Sequence, residues 1–144
     1  MAVTDGDDPV VTSGLGSCVA VVIHDDAGRG GLLHAMLPEA PPDSDHDAKY
    51  VDSGILALLD ELAAMGTDPS EVTAKLAGGA SMLKIGNGSP VGEKNVDATK
   101  AVLSDLGIDI VASRTGGESG RSVSYDPTTG DVRIRRVNAE EEII

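Results

Sequence analysis

A single cysteine, Cys18, follows the glycine-punctuated stretch Thr12-Ser13-Gly14-Leu15-Gly16-Ser17 and precedes the apolar run Val19-Ala20-Val21-Val22-Ile23. A thiol attacks carbonyl carbon as its thiolate, and an ordinary pKa of about 8.5 leaves only a few per cent ionised at neutral pH. It needs a base beside it. His34 lies in the next apolar run, Gly31-Leu32-Leu33-His34-Ala35-Met36-Leu37. An imidazole within hydrogen-bond reach takes the thiol proton and returns it to a leaving group. Thr12 offers an oxygen able to orient that ring, and backbone amides at Cys18 and in the glycine turn are suited to hold an oxyanion. The same residues also have a plain structural reading. A lone cysteine on an apolar strand is commonly a small buried hydrophobe, and a lone histidine there a satisfied core residue.

To bring these groups together the chain must turn sharply and then double back. Gly14 and Gly16 allow the turn. The β-branched run after Cys18 is bounded by Asp25-Asp26-Ala27-Gly28 and reads as a buried strand ending in a turn. Antiparallel return of the next run then sets His34 beside the start of the first. Pro38, Pro41 and Pro42 end that second strand, and 43–47 reads as a polar loop. Val51, Ile55, Leu58, Leu59 and Leu62 recur at helical spacing and predict a helix from about Lys49 to Met65, stopped by Gly66. A strand over Val72–Ala77 ends in Gly78-Gly79-Ala80-Ser81, which lacks the lysine and hydroxyl pattern of a nucleotide-binding loop. After an Asn87-Gly88 turn, Ser89 and Pro90 signal a second helix with Val91, Val96, Val102, Leu103 and Leu106 on its apolar face, ended by Gly107. Lys94 and Lys100 are solvated on it. Strands over 108–113, 121–125 and 132–137 follow, the last two joined by Asp126-Pro127-Thr128-Thr129-Gly130. Arg133, Arg135 and Arg136 read as charges guarding a sheet edge. The expected fold is a single α+β domain over 1–144, a layered β-sheet sandwich with two helices packed outside and acidic flexible ends at about 1–8 and 138–144.

Composition removes several function classes. Eleven Lys and Arg against 24 Asp and Glu give a formal charge of −13, and Tyr50 and Tyr125 are the only aromatic rings. Phosphate backbones need clustered cations and single strands need stacking platforms, so nucleic acid is an unsuitable partner. The carboxylates are dispersed, apart from Glu140-Glu141-Glu142. Such an excess suits a halophilic protein, whose stability rises between low and molar KCl as self-repulsion is screened. One cysteine forms no internal disulfide, no apolar stretch is long enough to span a bilayer, and residues 1–8 do not resemble a secretory signal. A cytoplasmic setting with a reduced thiol is expected. A zinc site from Cys18, His24, His34 and His46 lacks any close-spaced ligand pair, so no metal or other cofactor is expected and His24 and His46 read as surface residues.

Six stretches, 14–25 (GLGSCVAVVIHD), 30–39 (GGLLHAMLPE), 49–55 (KYVDSGI), 75–82 (KLAGGASM), 92–103 (GEKNVDATKAVL) and 115–130 (TGGESGRSVSYDPTTG), occur in the order seen in the chemoreceptor glutamine deamidase family CheD. The chain resembles that family over roughly residues 10–137. The resemblance implies a cysteine-hydrolase fold and a deamidase that converts glutamines of methyl-accepting chemotaxis receptors to glutamate. It places the nucleophile on Cys18, the histidine on His34 and the orienting member on Thr12. It also favours Gly16, Ser17, Gly78, Gly79, Ser81, Asn95 and Arg121 as substrate-binding, although the glycine pair also fits a role in close packing, and it places Arg121 with Thr115-Gly116-Gly117 near the active-site floor as backbone shapers. A CheC-type chemotaxis phosphatase is the implied regulatory partner. Two departures stand out. Gly92-Glu93-Lys94-Asn95 replaces a Gly-x-Arg-Asn block, so a point charge stands where the family has a bidentate fork. The chain also starts late, so one edge strand is expected to be missing. Three other readings remain: a binding module that regulates such a phosphatase with a vestigial thiol site, a receptor methylesterase, and a cysteine hydrolase of small amides.

Overall fold

The structure, a computed structural model, describes residues 1–81, 90–117, 119–136 and 139–144. The apolar run after Cys18 becomes strand β3 (Val19–Asp25), the centre of the molecule, flanked by β4 (Gly30–Ala35) and β5 (Val72–Gly78). With β1 (Ala2–Thr4) and β6 (Asp109–Thr115) they form a five-stranded sheet in the order β1-β4-β3-β5-β6. Only the β5–β6 pair is parallel, joined across helix α2 (Val91–Asp105), since a parallel neighbour requires a crossover. A second sheet, in the order β2-β7-β8-β9, contains β2 (Val10–Leu15), β7 (Arg121–Tyr125), β8 (Val132–Arg136) and β9 (Glu142–Ile143).

Side chains alternate across β3, so the two faces of the central sheet bury different cores. Val19, Val21 and Ile23 join Leu33, Ala74 and Leu76 against helix α1 (Val51–Ala64) and α2. Ala20, Val22, Leu32 and Ala77 face Leu15, Val123, Tyr125, Val132 and Ile134 of the second sheet. Each fully buried Ile, Leu or Val contributes about 1.5–3 kcal/mol. Helix α1 buries Val51, Ile55, Leu58 and Leu62 at the expected spacing and ends at Gly66, where φ is +98°.

Several expectations are corrected. Each end contains a short strand that was not expected: Ala2–Thr4 pairs with Gly30–Leu32, and Glu142–Ile143 pairs with β8. β1 forms one edge of the central sheet. Helix α2 turns Val96, Val102 and Leu103 of its expected apolar face to the core, but not the two ends of that face. Val91 and Leu106 are each 42% exposed, whereas Gly92, Asn95, Val96, Thr99 and Leu103 are buried. The expected Asn87-Gly88 turn and Ser89 cap lie outside the described residues. His24 is half-buried, its Nδ1 2.5 Å from the Tyr125 hydroxyl, because Tyr125 crosses from the second sheet to cover the strand. His46 is exposed as expected.

A polar staple holds the closed end of the β3–β4 hairpin to α1. Asp25 accepts from the amides of Ala27 and Arg29, from Arg29 Nε at 3.1 Å and from Thr67 Oγ1 at 2.9 Å, while Arg29 Nη1 donates to Met65 O. Burial opposes ionisation of this carboxyl, but the hydrogen bonds outweigh it and hold the pKa below the usual value.

Candidate functional site

The open end of the same hairpin carries the candidate residues Cys18 and His34. Register pairs Val19 with Ala35 and Ala20 with His34. Cys18 packs with the core between the sheets, on the Ala20 side of the strand. Thiol and imidazole thus share one face as diagonal neighbours, a relation that spans about 7–8 Å between Cα atoms and brings side chains within reach. Thr12, on edge strand β2, reaches across from the second sheet, its Oγ1 2.8 Å from His34 Nδ1. In the tautomer with Nδ1–H donating to Thr12, the lone pair sits on Nε2, where a base needs it. The bond of the ring among the described residues is to Thr12, and none joins it to Cys18 Sγ.

Electrostatics set the starting protonation. Burial, reinforced by the positive chain terminus, pushes His34 below its ordinary 6.5, so the ring is neutral and ready to accept a proton. Burial pushes the Cys18 thiol up, and its own backbone amide pulls it part of the way back. The thiol is therefore protonated at rest and depends on the base.

The turn before Cys18 is held by its carbonyls. Gly14, at φ +70°, breaks the β2–β7 register between Thr12 and Leu15. Then three successive carbonyls are taken: Gly16 O by Ala80 N at 2.9 Å, Ser17 O by Asn95 Nδ2 at 2.9 Å, and Cys18 O by Gly79 N at 2.8 Å. In a trans peptide the N–H points opposite to the preceding C=O. The amides of Ser17 and Cys18 consequently face away from these anchors, and neither donates to another protein group among the described residues. Two free amides beside a thiol are the donors an oxyanion requires.

Not all of the expected substrate contacts face outward. Gly16, Ser17 and Ser81 are half-buried at the turn, with Ser81 N donating to Gly117 O. Gly78 and Gly79 are buried, and a Cβ on Gly78 would sit 2.5 Å from Cys18 O, so the pair serves close packing of backbone on backbone. Arg121 is only 7% exposed and donates to Gly78 O and Gly116 O, which makes it a brace beneath the loop. Asn95 is fully buried and touches Ser17 O and Met36 O. The donors of both are spent on backbone carbonyls: Asn95 is an internal support where a substrate contact was expected, and Arg121 shapes the backbone of the loop beside which it was placed. Sequence reasoning passed over Met36, 49% exposed, and Leu37, 38% exposed, which stand at the mouth just beyond His34. Their signal was an apolar run that continues past the end of the strand. Among the described residues no three His, Cys, Asp or Glu side chains converge on a metal position.

The family model for CheD chemotactic sensory transduction matches residues 36–136. The chain belongs to the CheD family. A CheD protein of Thermotoga maritima named chemoreceptor glutamine deamidase is 42% identical, over 93% of this chain and 85% of the relative. Probable chemoreceptor glutamine deamidases of Natronomonas pharaonis, 40% identical over 92% of this chain and 81% of theirs, and of Pyrococcus abyssi, 43% over 94% and 86%, are similar throughout. The CheD match begins at Met36, just after Thr12, Cys18 and His34.

Proposed function

We propose that this protein is a chemoreceptor glutamine deamidase, an amidohydrolase that converts receptor glutamines to glutamate with Cys18 as nucleophile, His34 as base and acid, and Thr12 as the residue orienting the ring. The observation that carries this reading is the 2.8 Å bond from Thr12 to His34 on the face shared with Cys18, beside two free amides. His34 Nε2 takes the thiol proton, and the thiolate attacks the carboxamide carbon. The oxyanion that forms is held by the Ser17 and Cys18 amides. The tetrahedral adduct collapses as the imidazolium protonates the departing nitrogen, leaving a thioester and ammonia. Water, deprotonated by the same ring, attacks the thioester, and glutamate leaves as the thiol regains its proton. No cofactor enters. The exposed Met36 and Leu37 offer an apolar rim to a protein substrate, in keeping with a receptor's cytoplasmic helical bundle. No helix described is long and apolar enough to cross a membrane. A CheC-type phosphatase is the regulatory partner that goes with this reading.

The test is mass spectrometry of a receptor cytoplasmic fragment incubated with the protein or with Cys18→Ala. The account expects a gain of about one dalton per converted glutamine, the mass difference between an amide and an acid, with intact Cys18 only. No gain from either protein, with both binding a CheC-type phosphatase equally, would replace it with the binding-module reading.

A further inference from the structure

We infer that Asn95 is a positioning residue for the reaction, a clamp that ties the strand carrying the nucleophile to the strand carrying the base. Its Nδ2 donates to Ser17 O at 2.9 Å and to Met36 O at 3.0 Å. Ser17 immediately precedes Cys18, and Met36 is two residues beyond His34. Both amide protons are therefore spent on the two chain segments whose spacing sets the distance from sulfur to imidazole.

Three further observations support the assignment. The carboxamide oxygen, Asn95 Oδ1, is buried and has no hydrogen-bond partner among the described residues. A buried polar atom left unpaired opposes folding, so the contribution of this side chain rests on its nitrogen. The side chain is also aimed by its own helix: Thr99 Oγ1 donates to Asn95 O at 2.7 Å, and Gly92, one turn earlier, lets the helix backbone rest directly on Gly79 and Ala80. Finally, Ser17 C=O and Cys18 N–H belong to one peptide plane. Holding that carbonyl inward turns the Cys18 amide outward, toward the sulfur and the forming oxyanion. That amide is the group that partly offsets the effect of burial on the thiol.

The rate effect rests on the deamidase reading, while the thiol chemistry does not, so two readouts separate them. Asn95→Leu removes both donors and the orphaned oxygen together, and Asn95→Asp keeps the shape but turns donors into acceptors. In both variants the account expects kcat for receptor-fragment deamidation to fall at least tenfold with KM unchanged. It also expects the pH midpoint of Cys18 alkylation by iodoacetamide to rise. A loss confined to KM would return Asn95 to the substrate-contact role. Unchanged kcat and an unchanged alkylation midpoint would overturn the clamp. If the wild-type protein deamidates nothing, the alkylation midpoint still decides. Should neither variant unfold cooperatively, NMR of the native protein decides instead. Two slowly exchanging Asn95 side-chain protons whose shifts follow the Cys18 titration uphold the clamp, and rapidly exchanging, insensitive ones overturn it.

Discussion

Two histidines sit at opposite ends of one hairpin, and they differ in what surrounds them more than in how they are held. His34 and His24 both face the core between the sheets, and each ring joins a hydroxyl through Nδ1, Thr12 at 2.8 Å and Tyr125 at 2.5 Å. Burial lowers both from 6.5. For His24 the carboxylates of Asp25 and Asp26 oppose that shift and Lys75 adds to it. At the closed end, His24 lies edge-on to the fully buried Tyr125 ring and against Gly130, with Lys75 Nζ fixed on Gly130 O and Ile144 O. At the open end, His34 shares a face with a thiol, beside two amides that donate to no other protein group among the described residues. An oriented imidazole is thus a common structural element. It becomes a catalytic one where a nucleophile and unspent donors lie within reach.

The sharpest way to break this comparison is to remove each ring. His34→Ala should cost about 10²–10⁴-fold in kcat, the usual contribution of general acid–base catalysis, with little change in unfolding midpoint. His24→Ala should leave kcat within twofold and instead destabilise the fold by about 1–3 kcal/mol, because the buried Tyr125 hydroxyl loses its partner. Equal activity losses, read from deamidation rates beside urea unfolding curves, would erase the distinction. Removing the hydroxyls is a milder version. Thr12→Val should lower kcat about tenfold by freeing the ring, and Tyr125→Phe should cost about 1 kcal/mol of stability with the rate unchanged. A rate loss in Tyr125→Phe would show that the closed end takes part in catalysis.

The smallest effect is shared by both ends. A depressed histidine pKa means the unfolded chain binds the proton more readily, so the contribution of the neutral rings is complete above pH 6.5 and is lost as pH falls through the folded-state values. Thermal midpoints should therefore decline below about pH 6.5, and less steeply in His24→Gln. A midpoint that rises on acidification through that range would contradict the assigned burial.

How much of this was legible depended on sequence distance. The open end was readable because its parts are local: a glycine turn, a strand, a tight turn and a returning strand set Cys18 and His34 together by pairing alone. Thr12 needed the second sheet, yet its hydroxyl type and place before the turn were enough to nominate it. His24 was misread because Asp25 and Asp26 beside it suggest a surface, while its partner Tyr125 lies 101 residues away. Asn95 and Arg121 were placed at the site through the family blocks they stand in, and only the fold shows their donors spent on carbonyls. Helix α2 misled for a related reason: its buried stripe uses glycine, asparagine and threonine, which a search for apolar periodicity skips. The acidic ends looked loose because composition does not reveal a vacant sheet edge that a short strand can fill.

The most direct test of the central claim is to trap the acyl-enzyme. Acid quenching during turnover of a receptor fragment, followed by mass spectrometry of the protein, should reveal a covalent adduct on the Cys18 peptide. Its mass should equal the sum of the two chains less ammonia, about 17 daltons, because a thioester has formed with loss of the amide nitrogen. Glutamine conversion that proceeds at full rate in the Cys18→Ala protein, with no such adduct in the wild type, would contradict it.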